Sequence, residues 1–208
     1  MKKLLILIFS IATVFITNAQ VQFGIKGGYN HSNFIYSGSG LGDVGSRTYF
    51  NAGIFASIPL CKHFSWQPEL IYSGQGVGFT DSIPESIFNN YLNVPVLIEY
   101  QHPTGLFVES GPQIGFLLSS QVQTASMSFN SKSSTESTDF SWVFGLGYKI
   151  PVVNLGIDCR YNLGLTNIAK TSNYSGTAKN AVFQLDLFYQ FKVATLSNPF
   201  GVFIYSNM

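Results

Sequence analysis

Lys26, Glu69, Glu99, Glu109, Lys149, Asp158, Arg160 and Asp186 are the residues of this chain whose type and placement could do chemistry together. Each sits in a segment of alternating apolar and polar character, on the polar side of the alternation. Three cations and five carboxylates brought to one place could transfer protons, line an ion path, or neutralise one another as buried ion pairs. Which of these applies depends on the elements that carry them. Placed on strands that enclose a narrow interior, they pair with one another and with Gln67, Gln113, Gln184 and Asn162, because an unpaired buried charge is costly.

Other reactive constellations are sparse. The histidines are His31, His63 and His102, and the last two fall in short turns. No zinc spacing, phosphate-binding glycine loop or nucleophile elbow occurs. Gly24-Ile-Lys-Gly-Gly28 is glycine-rich, but it reads as a strand with no helix after it. His31-Ser32 stands at the rim where a lipid-modifying barrel enzyme would carry a His and a Ser. A triad there would still need a carboxylate within hydrogen-bond reach. The reading therefore assigns no catalytic, cofactor-binding or metal-binding residue, and no cofactor.

The elements that must position the eight charges are strands. From Asp139 to Gly164 two period-2 arms flank a turn at Pro151, the pattern of a hairpin. Phe140, Trp142, Phe144, Leu146 and Tyr148 share one face, against Ser141, Val143, Gly145, Gly147 and Lys149. Leu155, Ile157, Cys159 and Tyr161 oppose Gly156, Asp158, Arg160 and Asn162. The large face is apolar and the small face carries the charges, which demands an oily exterior. The same phase recurs in strands expected at 22–31, 48–60, 64–75, 90–100, 105–119 and 180–191, with a bulge expected at Pro68. Connections alternate long and short, and the long ones, 32–47, 76–89, 120–137 and 165–179, are polar. These features predict an all-β fold, an eight-stranded antiparallel up-and-down transmembrane β-barrel. Its interior is just wide enough for side chains to fill.

The bulk composition agrees. Charged residues are only 10% and aromatics 15% of 208 residues, which excludes a disordered chain and offers no basic face to a nucleic acid. Lys2, Lys3 and the apolar run 4–16 read as a signal peptide over 1–19, with small residues before the cut. Its removal leaves nine cations against ten anions. The barrel domain is expected over 20–191, and the tail 192–208 has no assigned place. Cys61 and Cys159 are read as unpaired, without a disulfide.

Several stretches resemble a known family. The leader ending in Ala-Gln and the opening Phe23-Gly-Ile-Lys-Gly-Gly-Tyr-Asn30 are similar to small outer-membrane β-barrel proteins of Bacteroidetes, the PorT-like group. So are Ser-Trp-Gln-Pro-Glu-Leu-Ile-Tyr-Ser (65–73), Tyr-Leu-Asn-Val-Pro-Val-Leu-Ile-Glu-Tyr (91–100) and Gly-Leu-Gly-Tyr (145–148). The resemblance runs from about Val21 to Phe191. It implies a barrel in the cell outer membrane and carries over no catalytic residue. One member class takes part in a secretion system. The expected role is a non-enzymatic outer-membrane protein, structural or accessory to envelope assembly or secretion. The alternatives are a surface-binding protein acting through its loops, or a lipid-modifying enzyme using His31. Expected partners are outer-membrane lipid or lipopolysaccharide, the barrel-assembly machinery and an unidentified envelope or secretion protein.

Overall fold

The structure, a computed structural model, describes residues 21–37, 44–79, 85–124, 127–169 and 176–191. The expected signal peptide and the tail 192–208 lie outside the described residues. Nine strands follow in order: β1 (Gln22–Ser37), β2 (Val44–Pro59), β3 (Phe64–Phe79), β4 (Glu85–Gln101), β5 (Leu106–Thr124), β6 (Ser128–Asn130), β7 (Thr138–Ile150), β8 (Leu155–Gly164) and β9 (Thr177–Gln190). Strand β6 pairs only with the outer end of β5. The other eight pair antiparallel with their neighbours, and β9 returns to β1 along the register Gly24↔Gln190 to Ser37↔Thr177. The sheet is a closed eight-stranded barrel, so its wall has no free edge.

Alternation decides which residues face out. Tyr29, Phe50, Ile54, Leu146 and Leu187 are exposed, whereas Arg160 and Asp186 are 2% and 1% accessible. A globular protein in water buries the first kind and exposes the second. A belt of apolar side chains around a polar filling is stable where hydrocarbon surrounds the wall. Leu146 lies on this belt, 61% exposed, in the middle of β7. Leu146→Arg is expected to cost about 2–4 kcal/mol in lipid, the range for Arg at the midplane of a barrel's lipid face. Ser133→Arg, in an exposed 3-10 turn beyond β6, should change stability by less than about 0.5 kcal/mol. Urea titration of both variants in lipid vesicles checks the pair; equal losses would mean that Leu146 does not meet lipid.

The two ends of the barrel differ. At the turn end, residues 60–63, 102–105 and 151–154 connect consecutive strands. The last of these turns places Asn154 at φ 55°, a left-handed conformation that asparagine tolerates better than most residues. Its carbonyl accepts from Gln190 N at 2.9 Å, which ties the turn to the end of β9. At the loop end the strands run further than the sequence reading expects. The polar stretches at 32–47, 76–89 and 120–137 are strand in large part, up to Ser37, Phe79 and Thr124 on β1, β3 and β5. Serine and glutamine side chains do not prevent a ladder once water solvates them, and pairing still satisfies the backbone. A bilayer needs roughly 9–11 residues per tilted strand, so the 19 residues of β5 continue beyond it. Phe34, Val77, Ile168 and Ala178 close this end with a small apolar core.

Pro68 corrects a second expectation. The β2–β3 and β3–β4 registers are the same on both sides of it, so no bulge forms there. Proline lacks only one donor, and the β2–β3 ladder skips two rungs between Phe55↔Glu69 and Ile58↔Trp66. The register shifts fall instead between Ser46 and Asn51 and between Asn90 and Tyr91. Cys61 is exposed, Cys159 is half-buried, and both are free thiols.

Candidate functional site

Six of the eight charges meet at mid-barrel. Asp158 on β8 and Asp186 on β9 are direct cross-strand partners, an arrangement that is repulsive on its own. Lys26 on β1 stands between them, with Nζ 2.8 Å from Asp158 Oδ2 and 3.2 Å from Asp186 Oδ2. Arg160 on β8 reaches across the lumen to β3. Its Nη1 and Nη2 donate to the two oxygens of Glu69, each at 2.7 Å. Its Nε lies 2.5 Å from Glu109 Oε1 and 3.3 Å from Asp158 Oδ1. The side chains of all six are at most 3% exposed.

Neutral groups complete the cluster. Gln67 donates to Glu69 at 2.8 Å and to Glu109 at 3.2 Å. Asn51 and Gln184 donate to Asp186 at 2.8 and 2.5 Å. Glycine makes the crossing possible at one place in particular. Gly145 on β7 lies between Glu109 on β5 and Arg160 on β8 in the registers. A Cβ there would stand 2.5 Å from Glu109 Oε1, so any larger residue would push the carboxylate off Arg160. Carboxylates outnumber cations four to two. Loss of one carboxylate is therefore expected to be better tolerated than loss of either cation.

The remaining two charges sit nearer the turn end. Lys149 donates to Gln190, and Glu99 accepts from Ser65 at 3.3 Å. Between them and the central cluster lies a plug that charge patterning does not reveal. Phe55, Phe107 and Phe188 pack together inside, with ring centroids 5.9 Å apart for Phe55–Phe188 and 5.8 Å for Phe107–Phe188. Each ring lies over a glycine of the adjoining strand: Gly24, Gly147 and Gly156, where a Cβ would come within 2.2, 2.3 and 2.2 Å of the ring. The cavity left beside the plug, lined by Lys26, Gln67, Glu99 and Lys149 among others, measures about 10 Å³, room for about one water. Positional parity was the available signal for these rings, since all three fall on the polar side of their strands.

Lys26 does reach Asp186, but it is closer to Asp158, because β1 pairs Gly28 rather than Lys26 with Asp186. Among the described residues Arg160 has no ion pair to Asp186 and spends its fork on Glu69. His31 and Ser32 occupy opposite faces. His31 is exposed, its Nδ1 3.2 Å from Thr48 Oγ1, while buried Ser32 donates to the Gly76 carbonyl at 2.7 Å. Among the described residues no carboxylate is hydrogen-bonded to His31. Among the described residues no group of His, Cys, Asp and Glu has metal-binding geometry.

A family model, the outer membrane protein beta-barrel domain, matches residues 17–170. The chain belongs to that family. Membership implies an outer-membrane location, in agreement with the apolar belt. Solved structures with the same fold include Neisserial surface protein A, at 12% identity and a TM-score of 0.53, covering 81% of this chain and 97% of that one. The attachment invasion locus protein Ail of Yersinia pestis is similar at 18% identity and a TM-score of 0.46, over 82% of this chain and 98% of that one. OprG from Pseudomonas aeruginosa follows at 12% identity and 0.45, over 83% and 96%. At these identities the likeness concerns the fold. No curated protein matches the sequence.

Proposed function

We propose that the protein is a non-enzymatic outer-membrane barrel with a structural or accessory part in envelope assembly or secretion. The observation that carries this reading is the sealed interior. Two cations bind four carboxylates drawn from β3, β5, β8 and β9, and three phenylalanines fill the turn end. A barrel filled in this way is a rigid membrane-embedded mount, with no aqueous lumen for solutes. Its loop-end extensions are the part that other molecules can reach. The PorT-like affinity of the strand motifs favours a secretion role. Leader cleavage, insertion by the barrel-assembly machinery and contact with lipopolysaccharide belong to the same proposal.

Planar bilayer recording tests it. Refolded protein is expected to insert, to migrate differently on a gel with and without boiling, and to give no stepwise conductance. Well-resolved ohmic steps would overturn the sealed-mount reading. A surface-binding role is favoured by one observation, the β5–β6 hairpin, whose Met127 and Phe129 are 62% and 55% exposed beyond the barrel rim. Deletion of 120–137 should abolish capture of a surface ligand if binding is the role. It should leave co-purification of envelope partners intact if the accessory reading holds.

A further inference from the structure

Phe55, Phe107 and Phe188 do not fill the barrel completely. The cavity beside them, about 10 Å³, is lined by Lys26, Gln67, Asp158, Glu99, Lys149 and Gln190 as well as by the rings. It therefore touches both sets of charges: the central cluster through Lys26 and Asp158, and the turn-end pair through Lys149 and Glu99. Register explains the meeting. Asp158 on β8 pairs with Gly147, and Lys149 on β7 pairs with Gly156. Such diagonal neighbours on a ladder stand about 7–8 Å apart. Gly156 puts no side chain between them, and the Phe188 ring takes that space, 2.2 Å from where a Cβ would be.

The groups around the cavity have hydrogen-bonding capacity to spare. Asp158 is 2% accessible, and among the described residues its Oδ1 accepts no hydrogen bond. Arg160 Nε lies 3.3 Å from that oxygen but is not aligned to donate to it. An unsatisfied carboxylate oxygen at this depth is costly. Lys149 has three ammonium protons and directs one to Gln190. Glu99 accepts from Ser65 at 3.3 Å, a long bond for a hydroxyl donor, and a carboxylate can accept several.

Two acceptors and one donor thus line a space that holds about one water. A water molecule is their complement, with two protons for the carboxylates and a lone pair for the ammonium. Size rules out any larger ligand. Charge disfavours a bare ion, because Lys26 and Lys149 offset Asp158 and Glu99 around the cavity wall. We propose that one ordered water occupies this cavity and bridges Asp158 to Lys149 and Glu99 past the phenylalanine plug. The eight charges then form a single network, six in direct contact and two joined through the water. The inference rests on the sealed-interior reading and gives Asp158 a partner on the turn side.

The test uses the full chain refolded into lipid nanodiscs and deuterated except at phenylalanine. A water that stays longer than the particle tumbles passes magnetisation to nearby ring protons, which do not exchange with solvent. Nuclear Overhauser peaks at the water frequency are expected on the rings of Phe55, Phe107 and Phe188. Oxygen-17 relaxation dispersion, which proton exchange does not affect, counts the long-lived waters. Lys26→Met with Asp158→Leu keeps the charge balance and makes one wall of the cavity apolar. Apolar cavities stay dry, so this variant should lose the ring peaks and one water from the count. Absence of the ring peaks in the wild type would overturn the site, whether or not the variant folds. Persistence of the peaks, or an unchanged count, in the double variant would do the same. Stepwise conductance in planar bilayers would overturn the sealed interior as well. A silent barrel without ring peaks would overturn the water alone.

Discussion

Lys26→Met is expected to lower the unfolding free energy by about 3–5 kcal/mol, the range for leaving a buried charge without its partner. The reason is the like-charge pair it separates. Asp158 and Asp186 face each other across β8 and β9, and Lys26 Nζ is within 3.2 Å of both. The two carboxylates are not equally dependent on it. Asp186 also accepts from Asn51 and Gln184. Among the described residues Asp158 otherwise has only Arg160 Nε, at 3.3 Å. Lys26→Met with Asp158→Leu should therefore recover most of the loss, and Lys26→Met with Asp186→Leu clearly less. Two double-mutant cycles by urea titration in lipid vesicles measure the difference. Strict additivity in the Asp158 cycle would sink the assignment.

How much of this was legible beforehand follows from what alternation can encode. Phe140, Trp142, Phe144, Leu146 and Tyr148 repeat at intervals of two, so the facing of β7 and the barrel class could be read directly. The eight charges could be placed on the polar side by the same rule. Their partners could not. Arg160 and Glu69 are 91 residues apart on opposite walls, and a meeting across the lumen depends on barrel diameter and stagger, which no local pattern specifies. The preference of Lys26 for Asp158 depends on a two-residue offset in the β1–β9 register. Polarity also misled at the loop end, where serine-rich stretches read as loops yet continue the ladders. Phe55, Phe107 and Phe188 had inward parity, but their type matched the lipid-facing row.

Arg160→Met is expected to cost as much as the loss of Lys26, again about 3–5 kcal/mol, and to spread further. Three carboxylates use this guanidinium: Glu69 through both terminal nitrogens at 2.7 Å, and Glu109 and Asp158 at Nε. They come from β3, β5 and β8, so the side chain ties one wall to the other. A lysine restores the charge but is a point donor without the planar fork. Arg160→Lys should keep part of the stability and lose the paired geometry on Glu69. The conservative change is thus expected to fall between the wild type and Arg160→Met. Glu109→Gln offers the opposite comparison. It removes one carboxylate from a cluster in which they outnumber cations four to two, while Gln67 and the bonds between Arg160 and Glu69 remain. Its cost should be well below that of Arg160→Met. Glu69→Gln should cost more than Glu109→Gln, because it replaces the doubly bonded oxygen pair by a single acceptor. Urea titrations of the four variants in vesicles give the order Glu109→Gln, Glu69→Gln, Arg160→Lys, Arg160→Met from least to most damaging. If Glu109→Gln proved as harmful as Arg160→Met, the charges would be acting as separate pairs, and a shared cluster centred on the guanidinium would have to be abandoned.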